Sequence, residues 1–130
     1  MPLLMETNLP NLKLLYRGKV RDTYALGDDQ LLMVATDRIS AFDVVLPNGI
    51  PSKGLVLNQM SAFWFEKTAH LVPNHFLCLA GKYVVLGKSA RMILNRNLLE
   101  LPEEVARQVM IVKRAQRIDI ECIVRGYITG

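Results

Sequence analysis

The sequence predicts an α+β fold, a mainly antiparallel sheet lobe with one or two packed helices. Three observations point to it. Three strand-like runs follow one another through short polar links between residues 12 and 36, the pattern of a meander. One stretch, at about 55–71, carries apolar residues at helical spacing. Two further strand-like runs lie between residues 110 and 128.

The runs LKLLYR (12–17) and VRDTYAL (20–26) flank the charged pair Gly18-Lys19. GDDQ (27–30) reads as a turn, and LLMVAT (31–36) is a continuous apolar run suited to a central strand. Side chains alternate along a strand, so Arg21, Thr23 and Ala25 fall on one face, and Val20, Asp22, Tyr24 and Leu26 on the other. Lys19 joins the Arg21 face if the strand is regular there. TDRISAFDVVLPNGIPSKG (36–54) reads as a polar, Gly/Pro-rich loop around a short apolar run, FDVVL.

The predicted helix aligns Val56, Leu57, Met60, Phe63, Trp64 and Leu71 in a stripe expected to face the core, with Phe65 off it. Within 72–99, HFLCL and RMILN are candidate strands. LPEEVARQ (101–108) reads as a short helix with Pro102 and acids in its first turn. MIVKRA (110–115) reads as a strand, followed by a break at Gln116-Arg117. IDIECIVRGYI (118–128) is the clearest strand pattern: Ile118, Ile120, Cys122 and Val124 face one way, and Asp119, Glu121, Ile123, Arg125 and Tyr127 the other.

Hydrophobic residues make up 51% and charged residues 22% of 130 residues, enough for one packed core and not a disordered composition. No stretch approaches the roughly 18 apolar residues of a membrane span, so no membrane partner is expected. The amino terminus has no signal-peptide pattern. A cytoplasmic protein with Cys78 and Cys122 reduced and buried is the expectation. The net charge of +4 suits either an ordinary solvated surface or small polyanions such as nucleotides. No basic run is interleaved with aromatics as a stacking platform would be, and no nucleic-acid partner is expected.

Candidate chemistry lies in three places. Gly18, Lys19, Val20 and Arg21 put a backbone that allows close approach beside two cations. This is either a phosphate-holding hairpin or an exposed turn with scattered charge. Asp37, Arg38, Ser40 and Asp43 follow an apolar run, as binding groups or as ordinary turn-capping residues. Glu121 and Arg125 share a polar strand face. Four residues at roughly 3.3 Å each set them about 13 Å apart, room to bracket a small ligand. His70 and His75 fit no metal pattern.

Taken together, YRGKVRDTY, VATDRISAFDV, IPSKGLVLNQMSAFWF and VKRAQRIDIECIVRGYITG resemble the amino-terminal part of the phosphoribosylaminoimidazole-succinocarboxamide synthase family, the SAICAR synthetases of purine biosynthesis. The likeness runs in order from about residue 14 to the last residue and is weakest over 72–108. It implies a two-lobe ATP-grasp/kinase-like fold, with residues 1–115 as the smaller, ATP-covering lobe and 116–130 as the start of the second. It implies an ATP-dependent ligase joining L-aspartate to carboxyaminoimidazole ribonucleotide (CAIR) through an acyl phosphate, with Mg2+ on the phosphates.

By resemblance, Gly18, Lys19, Val20 and Arg21 cover the ATP phosphates, while Lys113, Arg114 and Ala115 form the link where backbone meets adenine. Asp37, Arg38, Ser40, Asp43, Glu121 and Arg125 line the substrate pocket. Family members continue for well over another hundred residues, so this chain is expected to be an amino-terminal part, inactive alone and open to self-association, with its catalytic and metal groups elsewhere. A kinase-like phosphotransferase lobe and a basic nucleic-acid-binding β-domain are the alternatives.

Overall fold

A computed structural model describes residues 2–94 and 97–128. The meander forms as expected. β1 (Leu14–Arg17), β2 (Arg21–Leu26) and β3 (Gln30–Ala35) pair antiparallel in sequence order. Asp22, Tyr24 and Leu26 are buried, as the alternation predicts.

The segment read as a loop is instead a second hairpin, β4 (Arg38–Ala41) and β5 (Val44–Gly49), turning at Phe42-Asp43. Both turn residues have positive φ, of 49° and 64°, and the Phe42 side chain stands wholly in solvent. The β-branched Val44-Val45 pair makes a strand possible where the Gly/Pro content argues for a loop.

Helix α1 spans Lys53–Lys67. It is followed by β6 (Phe76–Leu79), a 3-10 turn (Ala80–Tyr83), β7 (Ala90–Leu94), β8 (Asn97–Leu101), helix α2 (Glu103–Ala106) and β9 (Val109–Lys113). The main sheet has the order β1-β2-β3-β9-β6, so the last strand of the lobe is inserted beside the third. β3 and β9 are therefore covered on both faces, which explains their continuous apolar sequence. Beneath one face, Leu32, Val34, Val109 and Ile111 pack with Leu9, Ala90, Met92, Leu101 and Val105. Beneath the other, Met110 and Val112 pack with Ala62 and Phe65 of α1.

The helix turns a different side to the sheet from the one its apolar stripe predicts. Gly54, Asn58 and Ala62, spaced four apart, are buried, while Met60, Phe63 and Trp64 are 50–58% exposed and Val56, Leu57 and Leu71 also face solvent. Close approach decides this. A Cβ on Gly54 would lie 1.9 Å from the Ala35 carbonyl oxygen, so only glycine lets the helix sit this near β3. Asn58 then donates from Nδ2 to the Val109 carbonyl at 3.2 Å.

The expected last strand does not form. Residues 114–128 include no strand and are exposed, with Val124 at 97%. A strand needs a ladder partner, and none of the described residues offers one there. Cys122 is consequently exposed rather than buried, and Cys78 is half-buried; both are free thiols. Among the described residues no helix is long and apolar enough to cross a membrane.

Candidate functional site

The turn between β1 and β2 is built from its carbonyls. Gly18 N–H donates to the Arg21 carbonyl at 2.8 Å and closes the turn. The three carbonyls of Gly18, Lys19 and Val20 then all face one neighbouring segment. Arg38 donates from Nη2 to Gly18 at 2.9 Å and from Nε to Lys19 at 3.1 Å. The Thr36 hydroxyl and backbone N–H both donate to Val20, at 2.7 and 3.0 Å.

Beneath this turn lies a buried polar cluster that the sequence does not announce. The Asp22 carboxylate is enclosed. Its Oδ1 accepts from Arg38 and from Arg17 Nε, and its Oδ2 accepts from the Thr7 N–H at 3.1 Å and hydroxyl at 2.7 Å. Burial alone would raise its pKa, but the hydrogen bonds from Arg38 and Thr7 more than offset that and hold it below the ordinary carboxylate value. Arg38 also donates to the Met5 carbonyl at 2.7 Å. Its guanidinium is thus fully engaged inside the protein.

Asp37 is buried as well and ties three segments together. Its Oδ2 accepts from Leu4 N–H at 2.9 Å, and its Oδ1 accepts from Gly54 N–H at 2.9 Å and from Gln108 Nε2 at 3.3 Å. Asp37 therefore stabilises the positive amino-terminal end of α1. Ser52, the residue in the ordinary capping position, is left-handed and makes no side-chain cap. Asp37 and Arg38 hold the frame, and the solvent-facing groups are others of the expected set.

Lys19 reaches away from the turn and pairs with Asp43 at the tip of the β4–β5 hairpin. The hydrogen bond and charge of Asp43 raise the Lys19 pKa, and Glu121 adds a smaller effect in the same direction. The same bond lowers the Asp43 pKa. Lys19 and Asp43, 24 residues apart in sequence, are thus brought together. Ser40 is exposed on β4.

Lys19 and Arg21 do not act as a pair. Arg21 lines a small cavity of about 150 Å³ with Leu57, Asn58, Phe65 and Met110 under α1. It lies near Lys53, a cation the sequence reading did not single out. Burial, and then the nearby Arg21, push the Lys53 ammonium below its ordinary pKa, with Asp37 acting in the opposite direction. The only sequence signal for Lys53 was its place in IPSKG.

The expected link leaves β9 at Lys113. Lys113 N–H donates to the His75 carbonyl and Arg114 N–H to the Asp29 carbonyl, each at 2.8 Å. His75 is half-buried against the Phe65 ring, 5.3 Å between centroids, and burial lowers its pKa. Arg125 is exposed and, with Glu121, lies outside any strand. Among the described residues no group of three or more His, Cys, Asp or Glu is arranged to hold a metal ion.

Fold and site first define a class: an α+β lobe whose short hairpin turn presents a cation beside carboxylates from separate segments. Comparison with known proteins is more particular. The family model for SAICAR synthetase matches residues 14–130. A phosphoribosylaminoimidazole-succinocarboxamide synthase of Cupriavidus metallidurans is 47% identical over 127 residues, covering 98% of this chain and 38% of that protein. The enzyme of the same name from Thermodesulfovibrio yellowstonii is 46% identical over 97% of this chain and 39% of its own length.

A solved SAICAR synthase from Saccharomyces cerevisiae, complexed with SAICAR, superimposes with a TM-score of 0.75 at 38% identity, over 98% of this chain and 42% of that one. A Type-2 SAICAR synthetase in complex with ADP shares the fold, with a TM-score of 0.53 at 23% identity over 76% of this chain. The chain belongs to the SAICAR synthetase family. It spans about 38% of the length of the curated relatives it matches.

Proposed function

We propose that this chain is the hairpin lobe of an ATP-dependent ligase that joins L-aspartate to CAIR, giving SAICAR, ADP and phosphate. The observation that carries the reading is the meeting of two family-matched segments: Lys19 from the first turn pairs with Asp43 from the second hairpin. The family match and the SAICAR held by the yeast relative support the substrate assignment.

In this reading Lys19 exchanges Asp43 for the ATP phosphates. A carboxylate is a poor acyl donor because its charge is delocalised and its leaving group is oxide. Phosphorylation makes an acyl phosphate, the aspartate amine attacks the acyl carbon, and phosphate leaves with the bonding electrons. Gly18, Val20 and Arg21 shape the cover over the nucleotide, and Lys113, Arg114 and Ala115 border its base. Ser40, Asp43, Glu121 and Arg125 face the ribonucleotide, while Asp37 and Arg38 act by positioning. Arg125 offers a planar fork suited to a phosphate or carboxylate. Magnesium is proposed only as the counter-ion of the nucleotide, since the described residues build no site of their own for it. The relatives are more than twice as long, and we propose that the remainder supplies the opposite wall of the cleft.

The test is steady-state kinetics of Lys19→Ala and Lys13→Ala in a full-length enzyme. Loss of one charge-assisted contact predicts a roughly tenfold or greater fall in kcat/KM for ATP with Lys19→Ala alone. Equal values for both variants would remove Lys19 from the phosphate site.

A further inference from the structure

Residues 4–7 form neither helix nor strand, yet they tie the first hairpin to the second. The Leu4 carbonyl accepts from Asp37 N–H at 2.8 Å, and Leu4 N–H donates back to the Asp37 carboxylate at 2.9 Å. The Met5 carbonyl accepts from Arg38 Nη1 at 2.7 Å. Thr7 is 3% exposed and bonds to the other hairpin: its N–H and its hydroxyl both reach Asp22 Oδ2. The family model matches from residue 14 onward, so it assigns this segment no part in the site.

Thr7 matters because of what a carboxylate needs in order to point. The last torsion of an aspartate is broad and roughly two-fold, so one oxygen stays aimed best when both are held. Arg17 and Arg38 hold Asp22 Oδ1, and among the described residues Thr7 holds Oδ2. An ionised carboxylate has no proton to give, so the Thr7 hydroxyl is the donor in its bond. The Tyr24 hydroxyl lies 2.9 Å from Thr7 Oγ1 and 3.0 Å from the Thr7 carbonyl oxygen. The bonds thus run from Tyr24 through Thr7, Asp22 and Arg38, and end on the carbonyls of Gly18 and Lys19.

We propose that Thr7 is a positioning residue for the nucleotide site: its hydroxyl fixes the Asp22 carboxylate, which aims Arg38 at the turn that carries Lys19. The inference rests on the reading of that turn as a phosphate cover. It adds a residue that touches no substrate and lies outside the turn.

Three variants of a full-length enzyme separate this role from a general structural one. Thr7→Val keeps the size and removes the hydroxyl, and Thr7→Ser keeps the hydroxyl. Tyr24→Phe removes a hydroxyl of the same cluster without removing a bond to Asp22. Each is followed by hydrogen–deuterium exchange without ligand and by steady-state kinetics. In Thr7→Val the amides of the β1–β2 turn are expected to exchange faster, while those of β3 and β9 keep the parent's rates. KM for ATP is expected to rise about three- to tenfold, the order of one hydrogen bond, with KM for L-aspartate unchanged. Thr7→Ser and Tyr24→Phe are expected to match the parent in both measurements. Unchanged exchange at the turn in Thr7→Val would overturn the proposal. So would exchange that rises equally in β3 and β9, a fall in kcat alone, or the same KM change in Tyr24→Phe, since each marks an ordinary core residue. Lys19→Ala tells this failure from failure of the underlying reading. If Lys19→Ala raises KM for ATP and Thr7→Val does not, the positioning role alone falls; if neither does, the phosphate cover falls with it. Thr7→Ala read against Thr7→Ser supplies the same comparison should valine prevent folding.

Discussion

One nitrogen of Arg38 joins the buried core to the exposed turn. Its Nη2 lies 2.9 Å from Asp22 Oδ1 and 2.9 Å from the Gly18 carbonyl oxygen. Whatever positions Arg38 therefore positions the turn that carries Lys19. Removing one member of a buried ion pair costs up to about 3–5 kcal/mol, and less here, because Asp22 keeps its bonds from Arg17 and Thr7. Arg38→Met is expected to lower the urea midpoint accordingly and to weaken ATP binding in a full-length enzyme, although the residue touches no phosphate. Unchanged urea midpoints would show that the pair is dispensable.

The same cluster sets an acid limit. The folded-state pKa of Asp22 lies below its ordinary value, so the folded chain binds fewer protons than the unfolded one near pH 4. Its contribution to stability is full above the unfolded pKa of about 3.9 and is lost as pH falls through the lower folded value. Between pH 5 and pH 3 the midpoint of urea unfolding is expected to fall, and to fall less steeply in Asp22→Asn. Parallel pH profiles for the two proteins would contradict this.

Gly54→Ala tests the seat of α1. The added methyl would overlap the Ala35 carbonyl and Gln108 Nε2, groups held by hydrogen bonds. Overpacking at a rigid contact costs about 1–3 kcal/mol or more. A drop of several degrees in Tm by circular dichroism is expected, with a loss of the Gly54 N–H to Asp37 geometry. A Tm equal to that of the parent would mean that the helix can slide without penalty.

The outward face of α1 carries Met60, Phe63 and Trp64, with the last two rings in edge-to-face contact at 5.2 Å. Contiguous apolar surface of this kind drives association. In sedimentation velocity the 130-residue chain is expected to show concentration-dependent oligomers, and Met60→Lys/Trp64→Lys to be monomeric with a Tm little changed. Oligomers that persist in the double variant would place the association surface elsewhere.

The meander was legible because β2 alternates cleanly, Asp22, Tyr24 and Leu26 inward against Arg21 outward. The continuous run of β3 gave away its two-sided burial. The orientation of α1 was not legible. A hydrophobic stripe shows which residues avoid water, whereas Gly54 and Ala62 show where backbones meet, and small residues leave no hydropathy signal. The turn at Gly18-Lys19 was legible, whereas Asp22 looked like one more charge in YRGKVRDTY, since Thr7, its partner, lies 15 residues away. The carboxy-terminal alternation was real, but alternation specifies only faces, and a strand also requires a neighbour.

The position of β9 has a consequence for how the lobe is made. β1, β2 and β3 can pair as soon as they are synthesised, because each contact spans a few residues. β3 and β9 are about eighty residues apart in sequence, yet Leu32 lies opposite Ile111 in the middle of the sheet. Closing so long a loop is the slow part of folding a sheet of this kind. Until Lys113 has left the ribosome, one edge of β3 has no partner, β6 has no strand to pair with, and α1 has only the β3 side of its sheet to cover. The topology thus makes the insertion of β9 between β3 and β6 the step at which misassociation is expected to compete most with folding.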